Sequence, residues 1–204
     1  KNVFQVHGAN ERGKKLWNKQ LQRKQVLKFF TRIPPCLIGM EACGSAHFWA
    51  RKLEELGHTV KLMAPQFVKP YVKTNKNDAA DAEAICEAVT RPKTRFVTIK
   101  CEEQQAVLCI HRIRQGLIKD RTARLNRIRG LLEEFGLATP KGRYPGQKAI
   151  QGILEDGENG LPDLVRELIA QVWESIVSLN DEILSYDRRL YKLANHSTEA
   201  KRIM

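Results

Sequence analysis

Long hydrophobic runs, paired cysteine motifs and N-terminal acidic residues are all scarce in this chain of 204 residues. Every apolar run is far shorter than the roughly 18 residues that a transmembrane helix needs, so the sequence predicts no membrane span. The five cysteines include no C-x-x-C pair and their number is odd, which favours reduced thiols over a disulfide framework. Cys43 and His47 have helical spacing, but no second ligand pair accompanies them, so no zinc site is predicted.

Basic residues outnumber acidic ones by 35 to 23, which gives a formal net charge of +12. A positive field of this size indicates an anionic partner such as nucleic acid rather than a neutral small molecule. No acidic residue occurs between Glu55 and Asp78. Four lysines lie in that gap, at Lys61, Lys69, Lys73 and Lys76. We therefore predict a basic loop there, in which Phe67 and Tyr71 either stack on bases or pack against the protein.

The first hundred residues alternate strand and helix signals, which predicts an α/β domain over residues 1–100. In chain order we expect a hairpin of Val3–Gly8 with Lys14–Lys19, a helix over 23–31, a strand over 36–40 buried on both faces, a helix opened by Gly44 and Ser45, a strand over 59–63, a helix over 77–89 and a strand over 95–99. This order fits an RNase H-like mixed sheet whose first strand is partly missing. Periodicity alone indicates only the α/β class.

Beyond residue 100 the pattern is helical. We predict a long basic helix over residues 101–138, a linker over 139–160 and a coiled-coil helix over 161–196. Apolar residues alternate spacings of three and four along the last helix, at Ile169, Val172, Ile176, Leu179, Ile183, Tyr186, Leu190 and Leu193. Such a seam predicts a coiled coil, formed either antiparallel with the preceding helix or between chains of a homo-oligomer.

The long basic helix carries seven cations between His111 and Arg129, against Asp120 alone. Arg114, Arg121, Arg124 and Arg127 recur near helical spacing. Their spacing predicts a stripe that follows a phosphate backbone, with Arg121 and Arg124 exposed to solvent. An ordinary solvated helix face is the alternative interpretation.

Three carboxylates stand where α/β proteins collect functional sites. Glu41 directly follows the apolar run 36–40, and Asp78 and Asp81 are three residues apart at the start of a predicted helix. Acidic residues in a first helical turn also complement the helix dipole, so a purely structural role is the alternative interpretation of Asp78 and Asp81. Mg²⁺ prefers hard oxygen ligands, and two-metal sites promote in-line phosphoryl displacement. The three carboxylates therefore predict magnesium-dependent chemistry on phosphate, with a fourth ligand expected upstream of Lys1.

Six segments of this sequence resemble the DEDD transposases of insertion sequence family one-ten, which are akin to the Piv and MooV invertases. They are KNVFQVHG at 1–8, IGMEACGSAH at 38–47, PQFVKPY at 65–71, KTNKNDAADA at 73–82, QQ at 104–105 and RGLLEEFG at 129–136. The resemblance implies a RuvC-like, RNase H-fold domain whose Asp-Glu-Asp-Asp tetrad binds Mg²⁺, followed by a long helical coiled-coil extension. It also implies a bridge RNA that selects DNA sites, and a serine-bearing domain after Met204.

Carried over by motif, Glu41 is the second member of the tetrad, and Asp78 and Asp81 are the last two. The first Asp is expected three positions before Lys1. The implied function is the N-terminal part of a transposase that acts on DNA in the bacterial cytoplasm, associated with the nucleoid. A non-catalytic nucleic-acid-binding and dimerisation fragment is the alternative, and the coiled coil disfavours a plain nuclease or resolvase. The candidate nucleic-acid contacts are Lys69, Lys73, Lys76, Arg114, Arg121, Arg124 and Arg127.

Overall fold

The computed structural model describes residues 2–72 and 77–196. The chain divides into two compact units, Lys1–Glu102 and Glu103–Met204. Across the described residues, no helix combines the length and the apolar character needed to cross a lipid bilayer. Each unit has its own hydrophobic core, so each is described by itself.

The first unit opens with an antiparallel hairpin of β1, Val3–Ala9, and β2, Lys15–Gln22. Asn10 organises the turn, because its Oδ1 accepts hydrogen bonds from the backbone N–H groups of Arg12 at 3.1 Å and Lys14 at 2.9 Å. Gly13 has a φ of 75°, a left-handed conformation that favours glycine. The predicted hairpin is confirmed.

Three further strands form a second, mixed sheet in the order β3, β4, β5. These are β3, Leu37–Glu41, β4, Thr59–Met63, and β5, Phe96–Val97, with β3 parallel and β5 antiparallel to β4. Helix α2, Ala46–Glu54, makes the crossover that the parallel pair requires. The remaining helical elements are a 3₁₀ turn at Arg23–Gln25, α1 at Val26–Phe30, α3 at Pro65–Val68, a 3₁₀ turn at Lys69–Tyr71 and α4 at Asp78–Ala88.

Several aromatic rings contact one another in the core beside the hairpin. Trp49 meets Phe4 edge-to-face with ring centroids 5.0 Å apart. His58 is buried, and its Nδ1 accepts the Cys36 N–H at 3.2 Å while its Nε2 lies 3.1 Å from the Phe30 carbonyl oxygen. These two contacts require the tautomer protonated on Nε2. The His58 side chain thereby joins α1 to the start of the second sheet.

Strand β3 is less buried than the sequence predicts. Leu37 is 47% exposed and the other four residues are half-buried, so the expectation of burial on both faces is wrong. Within the described residues β3 pairs only with β4, and β1 pairs only with β2. Each strand thus leaves one hydrogen-bonding edge open. A cleft of about 290 Å³ lined by both strands adjoins those edges, which explains the exposure.

The second unit contains three helices: α5, Glu102–Glu133, which begins at the last residue of the first unit, α6, Arg143–Glu155, and α7, Asp163–His196. Its core is aliphatic and is formed by Leu125, Ile128, Leu132, Ile150, Leu161, Ile169 and Ile176. Helices α5 and α7 are antiparallel, because Arg114 contacts Asp187 while Arg121 contacts Asn180. Both long helices were predicted, and both are confirmed.

Helix α6 lies inside the segment 139–160 that was predicted as a linker. Proline and glycine suggested a break there, but Pro145 stands in the first helical turn, where its missing N–H removes no internal hydrogen bond. Ile150 is fully buried, and Ile153 and Leu154 pack against the same core. Burial of this apolar side stabilises the helix despite its breaker residues.

Candidate active site

Glu41 is the last residue of β3, and its side chain is half-buried. The strand pairing extends one residue further, since the Ala42 N–H donates to the Met63 carbonyl oxygen at 2.7 Å. Ser45 then adopts a left-handed conformation, with a φ of 69°, directly before α2. Non-glycine residues rarely occupy this region, and such backbone strain is concentrated at functional sites. Sequence reasoning identified Ser45 only as a helix opener and missed this strained corner.

Asp78 and Asp81 lie in the first turn of α4, as predicted. Asn77 caps the helix, and its Oδ1 accepts the Ala80 N–H at 2.8 Å. Asp78 is exposed and Asp81 is half-buried. The helix N-terminus carries partial positive charge that favours both carboxylates, so the structural alternative for this pair remains.

Helix α4 packs tightly on β3 at Gly39. A Cβ atom at this position would lie 2.8 Å from the Val89 Cβ and 3.2 Å from the Ile85 Cγ2, so only glycine permits the contact. Asp81 precedes Ile85 by four residues and therefore shares its face of the helix. The helix face that bears Asp81 is thus turned toward the strand that ends in Glu41.

The acidic residues offer the hard oxygen ligands that Mg²⁺ prefers. Glu41 and Asp81 form no ion pair with a basic side chain in the described part of the chain. Across residues 2–72 and 77–196, however, no three His, Cys, Asp or Glu side chains are grouped closely enough to hold one metal ion. The donor chemistry therefore fits Mg²⁺, whereas the three carboxylates are not gathered into one group.

The basic loop of the first unit is described only in part. Lys69 is exposed in the 3₁₀ turn Lys69–Tyr71, whereas Lys73 and Lys76 lie outside the described residues. The Tyr71 ring packs against the core around Met63, and the Arg91 guanidinium lies 5.8 Å from its centroid. These contacts favour packing over base stacking for Tyr71.

The arginines of the stripe predicted in the second unit differ in their burial and in their partners. Arg121 is only 6% exposed, so its expected solvent exposure is wrong. Its Nη1 donates to the Asn180 Oδ1 at 3.1 Å, and burial lowers the pKa of its guanidinium. Arg114 pairs with Asp187.

The two other arginines of the stripe are more exposed than Arg121. Arg124 is half-buried and Arg127 is exposed. The partners of Arg114 and Arg121 lie 73 and 59 residues further along the chain, so local spacing could not reveal them.

Comparison with known proteins adds independent information. A family model described as "Transposase", that of the DEDD transposases of IS110 elements, matches residues 1–136. A Pseudomonas aeruginosa protein named "Probable family 20 transposase" is 47% identical over 205 residues, covering all of this chain and 61% of that protein. The "Transposase for insertion sequence element IS1328" of Yersinia enterocolitica is 39% identical over 204 residues, covering all of this chain and 60% of that protein. This chain thus spans about three-fifths of the length of these relatives.

Proposed function

Because the chain belongs to the DEDD transposase family of IS110 elements, we propose that it forms the N-terminal catalytic part of a protein that transfers phosphoryl groups on DNA. The observation that carries this proposal is the packing of α4 on β3, with Asp81 on the helix face turned toward the strand that ends in Glu41. An RNase H-like arrangement places acidic residues in this way, at a strand end and on a neighbouring helix.

In this proposal Glu41, Asp78 and Asp81 would hold Mg²⁺ through carboxylate oxygens, which requires their side chains to come closer together than in the described structure. Bound Mg²⁺ would polarise a phosphoryl oxygen and stabilise the charge that develops during in-line displacement. The side chains concentrate negative charge and fix where a metal ion meets the DNA backbone. A fourth carboxylate is expected before Lys1. The cleft between the open edges of β1 and β3 would accept the strand that carries it.

The proposal also includes a guide RNA and assembly with a second copy of the chain. The guide RNA rests on the family resemblance. Assembly through a coiled coil is supported by apolar side chains that α7 leaves exposed at a spacing of seven: Val177 is 45%, Leu184 46% and Tyr191 66% exposed. A second copy would cover these residues, because an exposed apolar stripe on a long helix favours association. Action on DNA places the protein in the bacterial cytoplasm, at the nucleoid.

A second candidate function is nucleic-acid binding and dimerisation without catalysis. It is favoured by one observation, namely that no three potential metal-ligand side chains form a group within the described residues. In that case the acidic residues of α4 would serve only to complement the helix N-terminus.

The substitution Asp81→Asn in a full-length transposase that contains this chain tests catalysis. Loss of a metal-binding carboxylate should reduce DNA strand exchange by on the order of 100-fold or more, since electrostatic stabilisation of the transition state is lost. DNA binding should persist, because the substitution removes no cation. Glu83→Gln is the control, as Glu83 is an exposed acid on the same helix. Full recombination by the Asp81→Asn variant would refute catalysis through Asp81, and equal loss in both variants would indicate damage to α4.

A further inference from the structure

One stretch of the first unit is strongly basic, and Glu11 in the hairpin turn is the one acidic residue of the sequence before Glu41. Between residues 12 and 40 the sequence has eight basic residues and no Asp or Glu. They are Arg12, Lys14, Lys15, Lys19, Arg23, Lys24, Lys28 and Arg32, and the side chains of all eight are exposed. They follow the turn of the hairpin, β2, the 3₁₀ turn Arg23–Gln25 and α1, and we call them the hairpin surface. The predicted nucleic-acid contacts include none of these residues.

Three of these cations recur at every fourth residue. Lys24 lies in the 3₁₀ turn, Lys28 in α1, and Arg32 two residues beyond the end of α1. Like charges at the spacing of Lys24 and Lys28 destabilise a helical segment. No ion pair joins any of the three to an acidic side chain within the described residues, whereas Arg91 in the same unit pairs with Glu87 at 2.6 Å. Such uncompensated repulsion is relieved when an anion binds.

We propose that the hairpin surface binds the phosphate backbone of duplex DNA, and the choice of DNA rests on the proposed function. The spacing of the cations on β2 suits contact with more than one phosphate. Lys15 and Lys19 lie four residues apart on this strand, roughly 14 Å at about 3.4 Å per residue. Contacts of this kind fix the orientation of a protein on DNA without reading its sequence.

Aromatic side chains near the hairpin surface favour a duplex over a single strand. Proteins that bind single strands stack bases on exposed aromatic rings. Here the Lys19 Nζ lies 5.8 Å from the Phe29 ring centroid, and the Arg23 guanidinium lies 5.0 Å from the Trp49 ring centroid. Both rings also pack edge-to-face in the core. These two rings are engaged by the core and by the cations beside them, so they are not offered to bases, and the surface is suited to backbone contact.

The test compares two charge-matched double variants of the chain. Lys28→Gln with Arg32→Gln removes two cations from the hairpin surface. Lys93→Gln with Arg95→Gln removes two exposed cations elsewhere in the same unit. Affinity for a duplex DNA of random sequence is measured against salt concentration, with single-stranded DNA and duplex RNA as parallel ligands. The first variant should bind duplex DNA more weakly, and its log-log salt slope should be shallower by about 1.8, since each lost phosphate contact removes about 0.9.

Each other outcome overturns a different part of the argument. Equal slopes for the wild type and the Lys28/Arg32 variant would show that DNA binds elsewhere, which leaves the proposed function intact. Equal losses in both variants would assign the effect to net charge alone and would refute a defined surface. Tighter binding of duplex RNA or of single-stranded DNA, with loss confined to the Lys28/Arg32 variant, would refute duplex DNA as the ligand. A wild-type chain that binds no nucleic acid would refute the proposed function together with this inference.

Discussion

Helix α5 and the hairpin surface are both rich in cations, yet the two regions use them differently. On α5, Arg114 and Arg121 contact Asp187 and Asn180 of α7. On the hairpin surface, Lys24, Lys28 and Arg32 make no ion pair in the described chain. A count of charges along the sequence cannot separate these cases. The difference depends on which side chains the fold brings opposite each cation.

Arginine chemistry explains part of this difference. A guanidinium presents several N–H donors in a fixed plane, so one side chain can link several acceptors. Arg129 donates to the carbonyl oxygens of Pro140 at 3.3 Å and Gly142 at 2.6 Å, which ties α5 to the segment before α6. Arg166 donates to the carbonyl oxygens of Ile153 and Leu154 near the end of α6. Substitutions in the second unit should therefore change stability, whereas those on the hairpin surface should change binding.

The largest expected effect follows from substitution of Arg121. We expect Arg121→Ala to destabilise the second unit by about 2 kcal/mol, because it removes a buried side-chain stem and a charged hydrogen bond to Asn180. Arg121→Met retains the stem and should recover about half of that loss. Hydrogen exchange of peptides from α5 and α7 measures both changes.

Arg127→Ala is the control for this comparison, because Arg127 is exposed on the same helix. Its effect should stay within about 0.5 kcal/mol. If Arg121→Ala were equally mild while it clearly weakened nucleic-acid binding, the arginines of α5 would be binding residues and the comparison would fail.

A smaller effect is expected at Arg129. The substitution Arg129→Lys keeps the charge but puts one ammonium nitrogen in place of two guanidinium nitrogens, of which Nη2 donates to both carbonyl oxygens and Nη1 to the Asn126 Oδ1, so we expect a loss of about 1 kcal/mol. Faster hydrogen exchange should be confined to the segment between α5 and α6 and to the start of α6. Exchange that is unchanged there would show that positive charge, and not the shape of the guanidinium, maintains this connection.

The limits of sequence reasoning follow the same division between local and distant contacts. The hairpin, β4, α5 and α7 were predicted because turn residues and apolar periodicity are local signals. Helix α6 was missed because Pro145 and Gly146 resemble a break, while the burial of Ile150 depends on other helices. The exposure of Arg121 was misjudged because Asn180 is 59 residues away.

At the candidate active site, local patterns placed the carboxylates on the right elements but did not determine how they group in space. Local patterns correctly placed Glu41 at a strand end and Asp78 and Asp81 in the first turn of a helix. Grouping of these carboxylates around a metal ion depends on tertiary packing and on a fourth ligand expected outside the sequence. Their role therefore remains a prediction.

The smallest expected effect is a slight gain in stability at Lys28, which accompanies a loss of affinity for DNA. Lys28→Glu would replace the repulsive pair with Lys24 by an attractive one, worth roughly 0.2–0.5 kcal/mol at this helical spacing. Helix α1 should therefore exchange its amide hydrogens slightly more slowly, while affinity for duplex DNA falls because a phosphate contact is replaced by repulsion. Lys28→Gln should show part of both effects. A gain in stability together with a loss of affinity is the trade-off expected of a ligand-binding surface. A variant that loses both would indicate that Lys28 supports the fold, and one that loses neither would place it outside the DNA contact.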